Sequence, residues 1–443
     1  MNLKHVIPFF ILAVSLFAQQ VPAPVELTVD DAIKLALENN PAYRISEQEV
    51  KQYRHRLMEN FGFLPQLSLE GSKILKEKLM TIEIPAAFTG GDPMETTLRF
   101  TKNYEFTFQV VQPVFTGGKI FYNYKNAELD LKIAKERERN SREETILNVK
   151  KTFYNLQILQ ELLKAHREAL ALAENNFSNV KKSFELGMSS RYDLLRAELA
   201  WSSTKPDILR VENLIETSRL GLNLMIGLPP KQGVVLKGEL GYNAYQMEQA
   251  DMIDKALRNR SELSQLRMEK EKVHNLLRIT WAQYVPDFSV VARYSYRSDF
   301  FKFTSQNWEN YYTINLGISL PIFTGLKRSA QVGEMRVMKK IIDLNLKQLN
   351  DATILEVENK YRTVKQEYET IQLGIKNMES AAEGVRIAEL NYREGLITIL
   401  ELNSSINEQT RAKVNYLQAL YNYNIAIAEI EKLTEIHFNG GKS

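Results

Sequence analysis

Residues 112–119 read Gln-Pro-Val-Phe-Thr-Gly-Gly-Lys, and residues 320–327 read Leu-Pro-Ile-Phe-Thr-Gly-Leu-Lys. The two stand 208 positions apart (321 − 113), and the same offset carries Gly187 in Glu-Leu-Gly-Met onto Gly395 in Arg-Glu-Gly-Leu. The stretch between each proline and its glycine therefore keeps its length in both copies, as a rigid rod would. Upstream, Leu64-Pro65-Gln66-Leu67-Ser68 answers Val285-Pro286-Asp287-Phe288-Ser289 at an offset of 221 (286 − 65). Ala36-Leu37-Glu38-Asn39 likewise answers Ala256-Leu257-Arg258-Asn259. An internal repeat outranks every local signal in deciding a fold. The first copy carries 13 more residues between its two prolines (221 − 208), and the expectation is that they sit in a tolerant loop.

The chain then divides into repeat 1 over 27–230, repeat 2 over 247–433 and a tail over 434–443. Before them, residues 1–18 read as a signal peptide: Lys4, then the apolar run Val6–Phe17, then Ala18 ahead of a cut. That run is short of the roughly 20 apolar residues a spanning helix needs, and no later stretch qualifies. The mature chain is expected to be exported and to have no transmembrane helix. With 57 basic and 54 acidic residues, no basic face argues for nucleic acid. The absence of cysteine excludes disulfides, Cys-ligated zinc and a lipid-modified N-terminal cysteine.

From Lys119 to Leu186 there is neither glycine nor proline. About 70 residues of helix would reach roughly 100 Å, and such lengths indicate a coiled coil. The heptad is legible in Val149, Leu156, Leu163, Leu170, Phe177 and Phe184. Adding 208 gives Val357, Val364, Ile371, Met378, Val385 and Tyr392, one seam at equivalent heights in both rods. A weaker seam follows in Thr152, Leu159, His166, Ala173 and Val180, and His166 reads as a packing residue, not a metal ligand. Each rod stops at a glycine suited to a left-handed cap. Helical hairpins are thus expected over 117–227, with a tip at Gly187, and over 325–432, with a tip at Gly395. Asp193 and Glu401 stand where the returning helices begin, a favourable place for an acid. Pro206 should kink the first returning helix.

Strands are expected over about 65–74, 103–112, 286–297 and 310–320. Tyr104, Phe106, Phe108 and Val110 alternate with Glu105, Thr107 and Gln109, and Tyr312, Ile314, Leu316, Ile318 and Leu320 alternate with Thr313, Asn315, Gly317 and Ser319. Phe288, Val290, Ala292, Tyr294 and Tyr296 do so against Ser289, Val291, Arg293, Ser295 and Arg297. Period two over about ten residues, with aromatics near the ends, marks transmembrane β-strands. A sheet packed on helices is the other reading of the alternation. Four strands cannot close a barrel, and open edges in lipid leave backbone groups unsatisfied. Two chains would give eight strands, a barrel filled by its own side chains; a conduit needs the twelve that three chains supply. The fold class is α+β.

The duplicated Pro-x-Phe-Thr-Gly, the Leu-Gly and Glu-Gly tips and the order of parts resemble the TolC family of outer-membrane efflux proteins, from about Leu27 to Leu433. The resemblance implies a homotrimer, with a 12-stranded barrel in the outer membrane of a diderm bacterium and a 12-helix α-barrel in the periplasm. It implies an exit duct for small molecules or proteins, in a tripartite efflux or type I secretion system. The partners implied are outer-membrane lipid, a periplasmic adaptor (membrane fusion) protein and an inner-membrane pump or ATPase. The family's periplasmic mouth carries acids just after the second tip, at Gly, five residues, Asp, two residues, Asp. Here Glu401 matches the first and Ser404 replaces the second, while Tyr392 matches a family tyrosine of the closing network and Ile397 replaces an arginine. Glu401, Tyr392 and Ser404 are the gate candidates, since three carboxylates on one axis repel each other and attract cations. The tip residues Gly187, Met188, Ser189, Gly395, Leu396 and Ile397 are the adaptor-contact candidates, exposed Met, Leu and Ile favouring contact. An alternative is a periplasmic coiled-coil adaptor or structural protein, although such adaptors usually carry one hairpin. Five histidines, no cysteine, no phosphate-binding glycine loop and no local acid cluster argue against an enzyme, a cofactor or a metal site.

Overall fold

A computed structural model describes residues 24–98, 101–238, 240–242, 248–302 and 308–436. The signal peptide expected over 1–18 and residues 437–443 of the tail lie outside them. In chain order the elements are β1 (Val25–Leu27), α1 (Val29–Asn39), α2 (Pro41–Glu59), β2 (Gln66–Lys73), β3 (Met80–Ile84), α3 (Ala86–Thr89), β4 (Met94–Leu98), β5 (Tyr104–Phe115), α4 (Lys119–Glu185), α5 (Arg191–Ile226), β6 (Val234–Leu236), α6 (Gln249–Asn259), α7 (Ser261–Ala282), β7 (Asp287–Ser298), β8 (Glu309–Ser319), α8 (Lys327–Arg393) and α9 (Ile399–Thr434). The rods α4 and α8 each have 67 residues, and the returning helices α5 and α9 each have 36. Helix α5 remains one helix through Pro206. Two compact units emerge, one from 45–141 and 250–357, the other from 1–44, 142–249 and 358–443.

The first unit holds an antiparallel sheet in the order β2-β5-β7-β8. Gln66 pairs with Val111 and Asp287 with Ser319, so the duplication survives residue for residue in the ladders. The extra residues of repeat 1 are more than a loop: β3 and β4 pair as a hairpin, Ile82 opposite Thr96. The short threonine and isoleucine alternation there supplies its own ladder. Each strand-to-rod turn uses two left-handed residues, Gly117 and Gly118 in repeat 1, Gly325 and Leu326 in repeat 2. At Gly117 a side chain would also meet the Ala282 carbonyl oxygen at 3.1 Å. The ammonium of Lys119, the first residue of α4, pairs with Asp287 at 2.7 Å, tying rod to sheet. Arg260 joins α7 to α8 through the Thr353 hydroxyl at 3.0 Å and Glu356 at 2.9 Å.

In the second unit the parallel pair β1–β6 and helix α1 cover a core of Leu27, Ala32, Ala36, Val149, Phe153, Leu156, Leu222 and Ile226. The chain leaves α5 through Gly227, left-handed at φ 74°, where a Cβ would lie 2.4 Å from that of Asn39. Only glycine lets α1 approach so closely. The Asn223 amide holds the following turn by donating to the carbonyls of Pro229, Pro230 and Gln232. Between the rods, Glu429 of α9 lies 2.7 Å from Lys151 and 2.5 Å from Lys360. Burial of Tyr154, aided by the charges of Glu431 and Asp30, pushes its phenol up to about 12.

The heptad seam of α8 is buried at Val357, Val364, Ile371 and Val385. In α4 the reading needs correction. Val149 and Leu156 are buried, but Leu163, Leu170, Phe177 and Phe184 are only half-buried, while Ala165, Ala169 and Ala173 are fully enclosed. Alanines permit close backbone approach, so between residues 163 and 177 the enclosed stripe is small-residue packing, with Leu163, Leu170 and Phe177 lying beside it.

Candidate functional site

The sheet has two chemically distinct faces. Leu69, Phe108, Tyr294 and Tyr312 stand opposite one another across all four strands, as do Leu67, Val110, Ala292 and Ile314. Much of this face is open to its surroundings: Leu69 is 71%, Tyr312 75% and Ile314 71% exposed. The alternate face is polar and bonds to itself. Arg297 pairs with Glu105 at 3.0 Å, Arg293 donates to the Gln109 amide oxygen at 2.6 Å, and the hydroxyls of Thr107 and Ser295 meet at 2.8 Å.

Aromatic rings collect at both ends of the strands. Tyr104 meets Phe301 at one end, where Trp308 also covers Phe106 and Tyr296. Phe115 meets Phe288 at the other. The eight steps from Phe288 to Tyr296 span about 26 Å, the scale of the lipid-facing band of outer-membrane strands. A sheet folded against helices would hide its apolar face; this one presents it. Among the described residues, both edges, β2 and β8, lack a second partner, and no helix is long and apolar enough to cross a membrane.

The two hairpin tips are built alike. The Gly187 and Met188 N–H groups donate to the carbonyls of Phe184 and Ser183, and those of Gly395 and Leu396 to Tyr392 and Asn391. This is the doubly bonded glycine cap. A capping box follows in each. Ser190 and Asp193 exchange bonds at 3.3 and 3.1 Å between backbone N–H and side chain. The Thr398 N–H donates to Glu401 at 2.7 Å, its hydroxyl at 2.9 Å, and the Glu401 N–H donates back at 3.3 Å. The Thr398 N–H and hydroxyl hold the Glu401 carboxyl below the ordinary glutamate range. The structure thus gives Glu401 a local role that Asp193 shares.

The tip core joins Val180, Leu194, Val385, Ile399 and Leu402, with Tyr392 and Ile397 packed against it. Ile397, one of the expected contact residues, is half-buried, with part of its side chain packed against this core. Met188 and Leu396 are exposed, as are Gly187 and Gly395; Ser189 is half-buried and Ser404 exposed. Burial raises the Tyr392 phenol, with a further push from the charge of Asp193. Asp193, named with Glu401 as a helix-start acid but not among the gate candidates, follows Gly187 by the same six positions as Glu401 follows Gly395. Leu186, Tyr192, Leu199 and Leu400 add exposed apolar surface near the tips. They were missed because a heptad reading follows one seam and ignores the other faces. Among the described residues, no group of three or more His, Asp or Glu could hold a metal ion.

A β-sheet that exposes an apolar band, joined in one duplicated chain to two long helical hairpins, defines an outer-membrane channel protomer. The outer membrane efflux protein model matches residues 32–228 and 252–434, and the chain belongs to that family. It is 19% identical to the outer membrane protein TolC of Vibrio cholerae serotype O1. That alignment takes in 65% of this chain and 66% of the relative, just under two thirds of its length. The CmeC outer membrane channel of Campylobacter jejuni superposes with a TM-score of 0.75 at 16% identity, over 92% of this chain and 85% of that one. The outer membrane protein VceC of Vibrio cholerae does so with 0.74 at 15%, over 92% and 96%. At these identities the structures speak for the fold.

Proposed function

We propose that three copies of this chain close a 12-stranded barrel in the outer membrane and a ring of 12 helices in the periplasm. The assembly is the passive exit duct of a tripartite efflux or type I secretion system. The observation that carries this reading is the sheet with one exposed apolar face, one polar face and two open edges. Lipid satisfies the first, water the second, and only further strands satisfy the edges. Eight strands would fill their own interior, and twelve leave a conduit.

The hairpin tips form the periplasmic mouth. Met188, Leu396 and the glycines beside them offer an adaptor its contact, and an inner-membrane pump or ATPase supplies the energy. Glu401, Tyr392 and Ser404 narrow the closed mouth. Adaptor and pump open it by binding the open form more tightly than the closed one. The duct senses size and charge of its cargo, while selection belongs to the pump. The test is planar-bilayer conductance of the detergent-purified protein. Discrete channels that divalent cations block from the tip side support the reading. A protein that stays soluble without detergent and forms no channels contradicts it, and promotes the adaptor alternative.

A further inference from the structure

The strand register sorts the polar face of the sheet into rows. One row runs Ser68, Gln109, Arg293 and Thr313 across β2, β5, β7 and β8. The next row toward the Trp308 end runs Glu70, Thr107, Ser295 and Tyr311. The next toward the rods is uncharged, with Gln66, Val111, Val291 and Asn315. Strand β7 thus brings two guanidiniums to this face, those of Arg293 and Arg297.

Their surroundings differ. Arg297 is satisfied within the sheet. Its Nε donates to Glu105 at 3.0 Å, a terminal nitrogen donates to the Tyr311 hydroxyl, and its guanidinium lies 4.1 Å from the centre of the Tyr311 ring. A carboxylate therefore cancels its charge. Arg293 is exposed and engages only its Nε, which donates to the Gln109 amide oxygen at 2.6 Å. Among the described residues no carboxylate pairs with it. A neutral amide fixes the guanidinium without cancelling its charge, and it leaves the two terminal nitrogens, Nη1 and Nη2, without a protein acceptor. Those nitrogens form the fork that matches two oxygens of a carboxylate, sulfate or phosphate group.

We propose that Arg293, oriented by Gln109, is an oxyanion site on the inner wall of the barrel. Its ligands are the carboxylate, sulfate or phosphate groups of permeating molecules. The proposal rests on the barrel reading above and gives that wall a chemical preference. Three copies set three such forks at one height, with the Ser68 and Thr313 hydroxyls in the same row as further donors. Glu70 stands two residues further out, about 7 Å along the strand direction, and repels the same anions. In the row beyond it Glu105 and Glu309 outweigh Arg297. The site is thus bounded by carboxylates on its outer side and by an uncharged row toward the rods. Each fork faces water, so the hold is weak and exchange is fast, as a conduit requires.

The test is block of chloride current by inorganic sulfate. It uses single channels of the detergent-purified full chain in planar bilayers at low ionic strength, where exposed charges are least screened. Sulfate should block the parent, and the half-blocking concentration should rise at least about fivefold in Arg293→Gln. Arg293→Lys keeps the charge but loses the fork, and should fall between the two. Arg297→Gln removes the same charge from the same face and should block as the parent does, which separates a placed site from net charge. Glu70→Gln should strengthen the block. Conducting channels in which sulfate blocks parent and Arg293→Gln alike, or blocks neither, overturn the proposal and leave the duct standing. Equal loss of block in Arg293→Gln and Arg297→Gln overturns it as well. No channels from the parent or any variant overturn the duct reading itself, and this proposal with it.

Discussion

Glu401 carries two duties in this account, and they separate by substitution. Its carboxylate caps α9 through Thr398, and Asp193 does the same for α5. Glu401→Ala should therefore raise leak conductance and weaken divalent-cation block. Asp193→Ala should loosen a tip without changing that block, because it removes a cap but no member of the mouth ring. Equal block in both variants and the parent would remove Glu401 from the gate. The cap also has a pH sign. Because the folded-state value lies below the ordinary 4.5, its stabilisation is complete above that value and fades as pH falls through the folded one. Protection of the Ile399–Leu402 amides, measured against their intrinsic exchange rates at each pH, should fall in that acid window, in Thr398→Ala by less than in the parent. Glycines divide in the same way. At Gly395 the space around a new Cβ is open, so Gly395→Ala costs only the left-handed strain, about 1 kcal/mol. Gly227→Ala adds a collision with Asn39 and should lower the melting temperature clearly further.

At the scale of elements, the lipid-facing assignment predicts an asymmetry between adjacent residues. Ile314→Lys places a charge on the apolar face and should cost about 2–4 kcal/mol near the bilayer midplane. Asn315→Lys, one residue on, faces water and should leave assembly intact; heat stability of the folded barrel on gels distinguishes them. In the helical core, Phe153→Ala should cost about 3–5 kcal/mol, since Phe153 is enclosed by α1 and α5. The strands were legible because alternation records which side meets lipid. The tips were legible because only glycine takes φ near +70° cheaply. The hairpin β3–β4 was not, since Thr81, Ile82 and Glu83 resemble any short polar-apolar run. The alanine stripe of α4 was legible only at Ala173, in the weaker seam; Ala165 and Ala169 fall outside both heptad series because a heptad search rewards large side chains. The half-burial of Ile397 against the tip core follows from the cap's geometry, which a list of apolar residues does not contain.

For the whole molecule, the duplication is the organising fact. One supersecondary unit, used twice, yields four strands and two hairpins with matched lengths, 67 and 36 residues in both copies. It leaves a sheet that is complete on its faces and incomplete at its edges. Family membership accounts for the efflux role and the outer membrane; the edges account for the need of further copies. The most direct test of that need is the mass of the mature protein purified in detergent, with bound detergent subtracted by light scattering. Three chains per particle are expected, soluble only while detergent is present. A single chain that remains soluble after detergent is removed would contradict it.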